Sequence, residues 1–340
     1  MPPSPQQRAL KRSFALLASA AALGVISVTV GSGPVSPLQS VHYLLGGTDP
    51  QAATTIQSLR LPRTLAALLV GAALGASGCL LQAITRNPLA DTGLLGINAG
   101  AALAVVVGIT FAGASTGGAY LIWAFMGALA GSSLVLLLSH IGGTNTPLRL
   151  ILAGIALGAT FHGLSASILL ANQQSYDQYR YWTMGALSGA SSDLVWQIFP
   201  AVALAMGVAL MLLRPLAALM LGDDSARALG HRPGLIRLGV ATAVTLATGA
   251  AVALAGPIAF LGLLSAHIGR GIAGPDLKTR FLLAGLAGAV ILLAADISAR
   301  IVVQPFEAPA SVLVALIGAP FMVWLVHAGR GPAGAEGPDR

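Results

Sequence analysis

Leu213-Arg-Pro-Leu-Ala-Ala-Leu-Met-Leu-Gly-Asp-Asp-Ser-Ala-Arg-Ala-Leu-Gly-His-Arg-Pro-Gly-Leu-Ile-Arg237 separates two long apolar runs, 195–213 and 238–255, each with the length and composition of a lipid-buried helix. Between them lies the densest internal patch of charge in the chain, and it is itself written like a small helix. Gly222-Asp223-Asp224 opens that helix with negative groups at its positive end, and Gly230 followed by Pro233 closes it. About four residues would be enough to turn the chain round. A polar helix of this kind, without nucleophile, metal cluster or phosphate cradle, reads as a docking surface for a soluble partner. The alternative on these residues alone is an ordinary polar loop.

Working outward, composition sets the class. Apolar residues make up 56% and charged residues 9%, against about 25% charged in soluble domains, and the mean hydropathy is +0.82. Crossing about 30 Å of hydrocarbon takes roughly 20 helical residues. Ten candidate spans follow: 14–30, 61–85, 93–112, 119–139, 150–171, 194–213, 238–255, 258–267, 281–299 and 311–327. The expected fold is all-α and polytopic, a single transmembrane domain over 1–340. Segment 258–267 is too short to cross alone. Following Gly256-Pro257, it reads as the second leg of a broken crossing, which survives at membrane depth only under protein or a water-filled cavity. Gly71/Gly75, Gly96/Gly100, Gly127/Gly131 and Gly154/Gly158 have the small-xxx-small spacing of closely packed membrane helices.

The net charge of +7 does not point to nucleic acid, because the basic residues stand singly between apolar runs. Membrane orientation explains them better. With the N-terminus inside, only Arg60, Arg63, Arg180 and Arg300 of the eighteen Lys and Arg fall outside, a strong positive-inside bias. Ten spans then put both termini in the cytoplasm, with tails at 1–13 and 329–340, and put 214–237 on the same side. Arg8, Lys11 and Arg12 precede a first apolar run without a convincing cleavage site, so an uncleaved first span is expected. Residues 176–187, rich in Tyr and Trp, predict a short interfacial or re-entrant helix outside.

The pattern argues against chemistry in this chain. A P-loop needs Gly-Lys-Ser/Thr, and neither Lys11 nor Lys278 follows Gly. The six His form no H-E-x-x-H spacing, Cys79 stands alone in an apolar run, and nothing aligns a Ser, His and Asp as a triad. Ionisable groups at membrane depth suggest function by default. Asp296 and Arg300 are four apart and close enough to pair. His162 lies mid-span, as a pathway residue or as a packed polar group on a helix interface. Arg60-Leu-Pro-Arg63 sets two cations on one face where the second span begins, and with Arg300 they would receive an acidic soluble partner or anchor lipid headgroups. An ion-coupled secondary transporter is the competing class, weakened by the lack of interior acids repeating along the spans. A membrane-embedded enzyme comes third, for want of a catalytic constellation.

Several motifs carry a resemblance. Arg60-Leu-Pro-Arg63, Gly71-Ala-Ala-Leu-Gly-Ala-Ser-Gly78 with Gln82, Arg86-Asn-Pro-Leu-Ala-Asp91 and Leu95-Gly-Ile-Asn-Ala-Gly-Ala101 come first in the chain. Leu152-Ala-Gly-Ile-Ala156, the 221–230 helix, Ala255-Gly-Pro-Ile-Ala-Phe-Leu-Gly-Leu263 and His267-Ile-Gly-Arg270 follow, then Ala295-Asp-Ile-Ser-Ala-Arg300 and Ile317-Gly-Ala-Pro320. Together they resemble the FecCD-type permeases of ABC importers for iron–siderophores, haem and vitamin B12. Tyr176-Asp-Gln-Tyr-Arg-Tyr-Trp182 is most similar to permeases for catecholate siderophores.

The resemblance implies a ten-span type II importer permease in the bacterial inner membrane, with no catalysis and no cofactor of its own. It would pair with a second permease, identical or paralogous, and two ATPase subunits that bind ATP and Mg. A periplasmic or lipid-anchored binding protein would deliver the cargo. By position, Arg60, Arg63 and Arg300 would meet the binding protein. Gly222, Asp223, Asp224, Ala226, Arg227, Leu229 and Gly230 would couple to the ATPase. Asn87, Leu89, Thr146 and His162 would form the cytoplasmic gate and pathway. Ala266, Thr92 and Ala310-Ser311 depart from the family pattern and bear on local helix geometry.

Overall fold

The computed structural model describes residues 5–33, 35–140, 147–303 and 306–328, so Thr146 lies outside the described residues. The described chain is a helical bundle. After α1 (Pro5–Thr29) come the short α2 (Pro37–Leu44) and α3 (Pro50–Thr54), a π-turn over Thr55–Arg60 and α4 (Leu61–Thr85). A 3₁₀ turn (Thr92–Leu95) leads into α5 (Ile97–Ala112), followed by α6 (Gly117–His140), α7 (Pro147–Ala171) and α8 (Gln173–Thr183). Then α9 (Ser192–Met220) and the six-residue α10 (Asp223–Ala228) precede α11 (Pro233–Ala255), α12 (Leu261–Ala273), α13 (Leu277–Val302) and α14 (Ala310–Ala328).

Among the described residues, seven helical stretches are long and apolar enough to cross a membrane: the segments containing α1, α4, α6, α7, α9, α11 and α13. Three other expected spans are short. α5 has 16 residues, α12 has 13 and α14 has 19.

α4 is the hub. Most of its side chains are buried, and it packs against α9, α11, α12 and α13. The reason lies in its glycine ridge. A Cβ added at Gly71 would lie 2.6 Å from Cα of Ala289 in α13, and one at Gly78 would lie 2.8 Å from Cα of Gly262 in α12. Real side-chain atoms do not approach so closely, so these backbones meet only because the facing positions on α4 carry no side chain. Dispersion and short polar contacts then supply the association that lipid does not drive. One such contact is Ser27–Thr64, 2.6 Å between hydroxyls of α1 and α4; another is Ser132–Thr245, 2.6 Å between α6 and α11. Gly100, Gly127 and Gly131 make a similar close crossing of α5 and α6. Gly158, by contrast, meets nothing within 4 Å, because the face of α7 that carries it is unpacked in a single chain.

The helix break expected around Gly256-Pro257 is present. α11 stops at Ala255, Gly256 takes φ +70°, and Phe260 takes φ +64° before α12 starts at Leu261. Gly256 and Ile258 in this irregular stretch are buried by neighbouring segments, Pro257 and Phe260 are half-buried, and Ala259 is exposed. Gly185 packs against Gly256 and Pro257, and the first turn of α14 closes the joint, where Ser311 donates its N–H to Gly185 O at 3.1 Å.

One boundary differs from expectation. Residues 213–220 belong to α9, so the polar insert runs only from 221 to 232. Leu213, Leu216 and Leu219 recur at helical spacing and are buried, which carries α9 through Pro215. Packing outweighs the lost N–H there.

Candidate functional site

Functional side chains gather at the two ends of α4. At its N-terminal end, Arg60 and Arg63 meet Asp296 and Arg300 from the last turns of α13, because the glycine ridge brings the two helices together. Arg63 donates from Nε to Asp296 Oδ1 at 2.8 Å, and its Nη2 lies 2.8 Å from the same oxygen. Arg300 reaches the other carboxylate oxygen from Nε at 2.9 Å and donates from Nη1 to Ser27 O at 2.8 Å. Arg60 uses neutral acceptors: Thr29 O and Ser40 Oγ, both at 2.7 Å, and Val35 O at 3.0 Å. The expected Asp296–Arg300 pair is therefore present and shared with Arg63.

The three arginines are brought together, but not as open surface charges. Arg60 is 4% exposed, Arg63 9% and Arg300 2%, and Asp296 is fully buried. The correction has a physical cause. Three like charges at one helix crossing at membrane depth require acceptors within the protein, and Asp296, Glu307 and the α1 carbonyls provide them.

Glu307 is the residue that sequence reasoning missed. It sits beyond α13, takes Arg63 Nη1 at 2.5 Å and accepts from the Ser32 hydroxyl. Burial alone would raise its pKa, but the Ser32 hydrogen bond and Arg63 outweigh that and hold it below the ordinary glutamate value. The carboxylate is therefore ionised at neutral pH. The signal available in the sequence was an isolated acid seven residues past Arg300. A cavity of about 160 Å³ opens beside this cluster, lined by Arg60, Arg63, Arg300, Glu307, Ser32 and Gly31 among others.

At the C-terminal end of α4, roughly 37 Å away at about 1.5 Å per residue over 25 residues, sits α10. Gly222 enters it at φ +132°, a conformation open to glycine, and Asp223 and Asp224 occupy its first turn. Its end is a complete Schellman cap: His231 N–H donates to Ala226 O and Gly230 N–H to Arg227 O, both at 2.9 Å, with Gly230 at φ +80°. Asp223 is not a free acid. Arg237 of α11 donates to both its oxygens, at 2.7 and 2.9 Å, and Arg86 at the end of α4 approaches at 3.5 Å while also donating to Leu219 O. Ala226 is buried, whereas Asp224, Arg227 and Leu229 face outward. Asp223 thus seats the small helix on the bundle and leaves its other face bare.

The expected gate residues are less tightly grouped. Asn87 Oδ1 accepts the Leu89 N–H at 2.9 Å in the turn after α4, and Leu89 is 41% exposed. Next to this turn, Asp91 is held with a raised pKa by burial, against hydrogen bonds from the Thr92 and Gly93 N–H groups. His162 lies elsewhere, on the open face of α7 that also carries Leu152 and Ile155. The residues at 152, 155 and 162 share one side of the helix.

Residues 19–328 match the FecCD transport family. The chain is 43% identical over 304 residues to the ferric enterobactin transport system permease protein FepD of Escherichia coli (strain K12), covering 89% of this chain and 90% of that one. It is 37% identical over 305 residues to the Fe(3+)-citrate import system permease protein YfmD of Bacillus subtilis (strain 168), covering 90% and 91%. A solved inward-facing structure of a metal-chelate type ABC transporter superposes with a TM-score of 0.82 at 29% identity, covering 94% of this chain and 99% of that one. PsaBC from Streptococcus pneumoniae, at 15% identity and a TM-score of 0.59, shares the fold alone. With the family model matched over residues 19–328 and relatives 43% and 37% identical along about nine-tenths of the chain, the chain belongs to the FecCD transport family.

Proposed function

We propose that the chain is the membrane permease of an ABC importer that brings a ferric siderophore complex into the bacterial cytoplasm. The kinship with permeases for ferric enterobactin and ferric citrate supports the cargo class. In this reading the short helices α5, α12 and α14 complete ten crossings, both termini are cytoplasmic, and 221–232 faces the cytosol. A second permease meets the open face of α7 across a central pathway that includes His162, with Asn87 and Leu89 at its inner end. Two ATPase subunits hold ATP and Mg; this chain contributes no catalysis. A binding protein presents acids to the cavity of Arg60, Arg63 and Arg300.

The observation that carries this reading is the seating of α10. A six-residue helix closed by a Schellman cap and clamped through Asp223 to the end of α4 and to α11 transmits force into the bundle, while its outward face is left for a partner. ATP binding and hydrolysis in the partner bias the bundle between outward- and inward-open states only through contacts that differ between them.

Replacing 223–229 with a Gly/Ser loop leaves the spans inserted and abolishes co-purification of the ATPase; an ATPase that still co-purifies overturns the assignment of α10. On the other side, Arg60→Gln with Arg63→Gln weakens binding-protein docking about three- to tenfold and flattens its salt dependence, measured on full-length permease in nanodiscs. Transport by the reconstituted complex that persists without ATP and collapses with the proton gradient returns the chain to the ion-coupled class.

A further inference from the structure

Two carboxylates serve the outer cluster, and they are not equivalent. Asp296 is fully buried on α13 and binds both Arg63 and Arg300. Glu307 lies on the non-helical stretch 306–309 with its side chain 26% exposed, and it covers only Arg63 Nη1, the edge of that guanidinium which Asp296 leaves open. Beside Glu307 is the cavity, into whose wall Arg60 brings a third guanidinium with a buried Nε that has no partner among the described residues. Gly31 keeps that wall open: a Cβ there would lie 3.2 Å from Arg60 Nε. Three guanidiniums face two carboxylates, which leaves one positive charge beside the cavity.

We propose that Glu307 is an internal stand-in for the acid of the docking partner, holding Arg63 at rest and giving it up when the partner's carboxylate enters the cavity. This rests on the docking role of the arginines set out above. Two carboxylates crowded onto one guanidinium edge repel each other, so one must leave. Asp296 is locked by two arginines. Glu307 is tied by Arg63 and Ser32, on a stretch whose backbone is held by Ala308 N–H to Ala299 O at 3.1 Å. Glu307 is the one that moves. The competition also selects: a partner without a well-placed acid does not displace it, and release of the partner is helped by the return of Glu307.

The test measures binding of the substrate-binding protein of the same import system to full-length permease in nanodiscs, across a salt series, with thermal unfolding as the control for fold. Glu307→Gln keeps the shape and removes the competitor, so affinity rises about two- to fivefold, the scale of a partly exposed ion pair, and its salt dependence steepens. Ser32→Ala, which loosens Glu307 without touching an arginine, moves affinity the same way by less. If Arg63→Gln weakens docking while Glu307→Gln and Ser32→Ala leave it equal or weaker, Glu307 is scaffold and the proposal is overturned with the docking role intact. If neither Arg63→Gln nor Glu307→Gln changes affinity, the docking role itself fails. A gain from Glu307→Gln that persists when Arg63→Gln is added does not run through Arg63, and also overturns it.

Discussion

Asp296→Ala is expected to unfold the end of the bundle where α4 begins, with a loss of about 3–5 kcal/mol, the scale for breaking a buried ion pair from one side. The carboxylate is fully buried and neutralises two guanidiniums that are themselves 9% and 2% exposed. Removing it leaves Arg63 and Arg300 buried beside Arg60, three positive charges with Glu307 as the remaining acid. Glu307 already spends its hydrogen bonds on Arg63 Nη1 and Ser32, and cannot reach around to replace Asp296. Thermal unfolding in detergent is the measurement. Adding Arg63→Met to Asp296→Ala is expected to recover part of the loss, because an apolar side chain removes one stranded charge. A wild-type melting point in Asp296→Ala would mean that water, not the carboxylate, satisfies the arginines.

Gly75→Leu is the second change with a large expected effect. A Cβ at position 75 would lie 3.0 Å from the carbonyl carbon of Ala284, and Gly288 on the same helix would have its Cβ 3.1 Å from Cα of Gly75. Both helix backbones would have to move apart, and the contacts of α4 with α13 and α12 depend on the same ridge. Overfilling a packed core costs about 1–3 kcal/mol when side chains can yield; here backbone stands in the way, so the loss lies at or above that range. Hydropathy rises in the variant, so insertion continues while packing fails. Limited proteolysis separates the two outcomes: normal membrane levels with rapid cleavage between spans. Gly158→Leu is the control, since nothing lies within 4 Å of that position in the single chain. Equal protease resistance in Gly75→Leu and wild type would remove the glycine ridge as the basis of the α4–α13 crossing.

Much of the fold was legible in the sequence because lipid leaves helices few alternatives. Apolar runs, the Gly256-Pro257 break and the Gly230 stop signal each have a local cause, and each corresponds to an observed feature. What local pattern did not contain was partnership across distant segments. The charge run began at Arg214 in sequence, yet α9 continues to Met220 because Leu216 and Leu219 are buried by neighbours that no window around them reveals. Asp223 reads as an exposed helix-start acid; its ties to Arg86 and Arg237 depend on where α4 ends and α11 begins. Arg60 and Arg63 read as cations facing water for the same reason. Their burial follows from the helix crossing, and the crossing from glycines whose spacing alone, as Gly158 shows, does not say which of them will touch.

The two candidate sites are mounted on a single rod: Arg63 lies in the first turn of α4 and Arg86 follows its last residue, Thr85, with no break in the helix between them. Tilting such a rod at one membrane face displaces the other at once, without a chain of intermediate rearrangements. Thermodynamics then makes the traffic two-way. Under the proposed assignment, by whatever factor nucleotide in an ATPase partner alters the grip on a binding protein, the arrival of that protein alters the grip on nucleotide by the same factor.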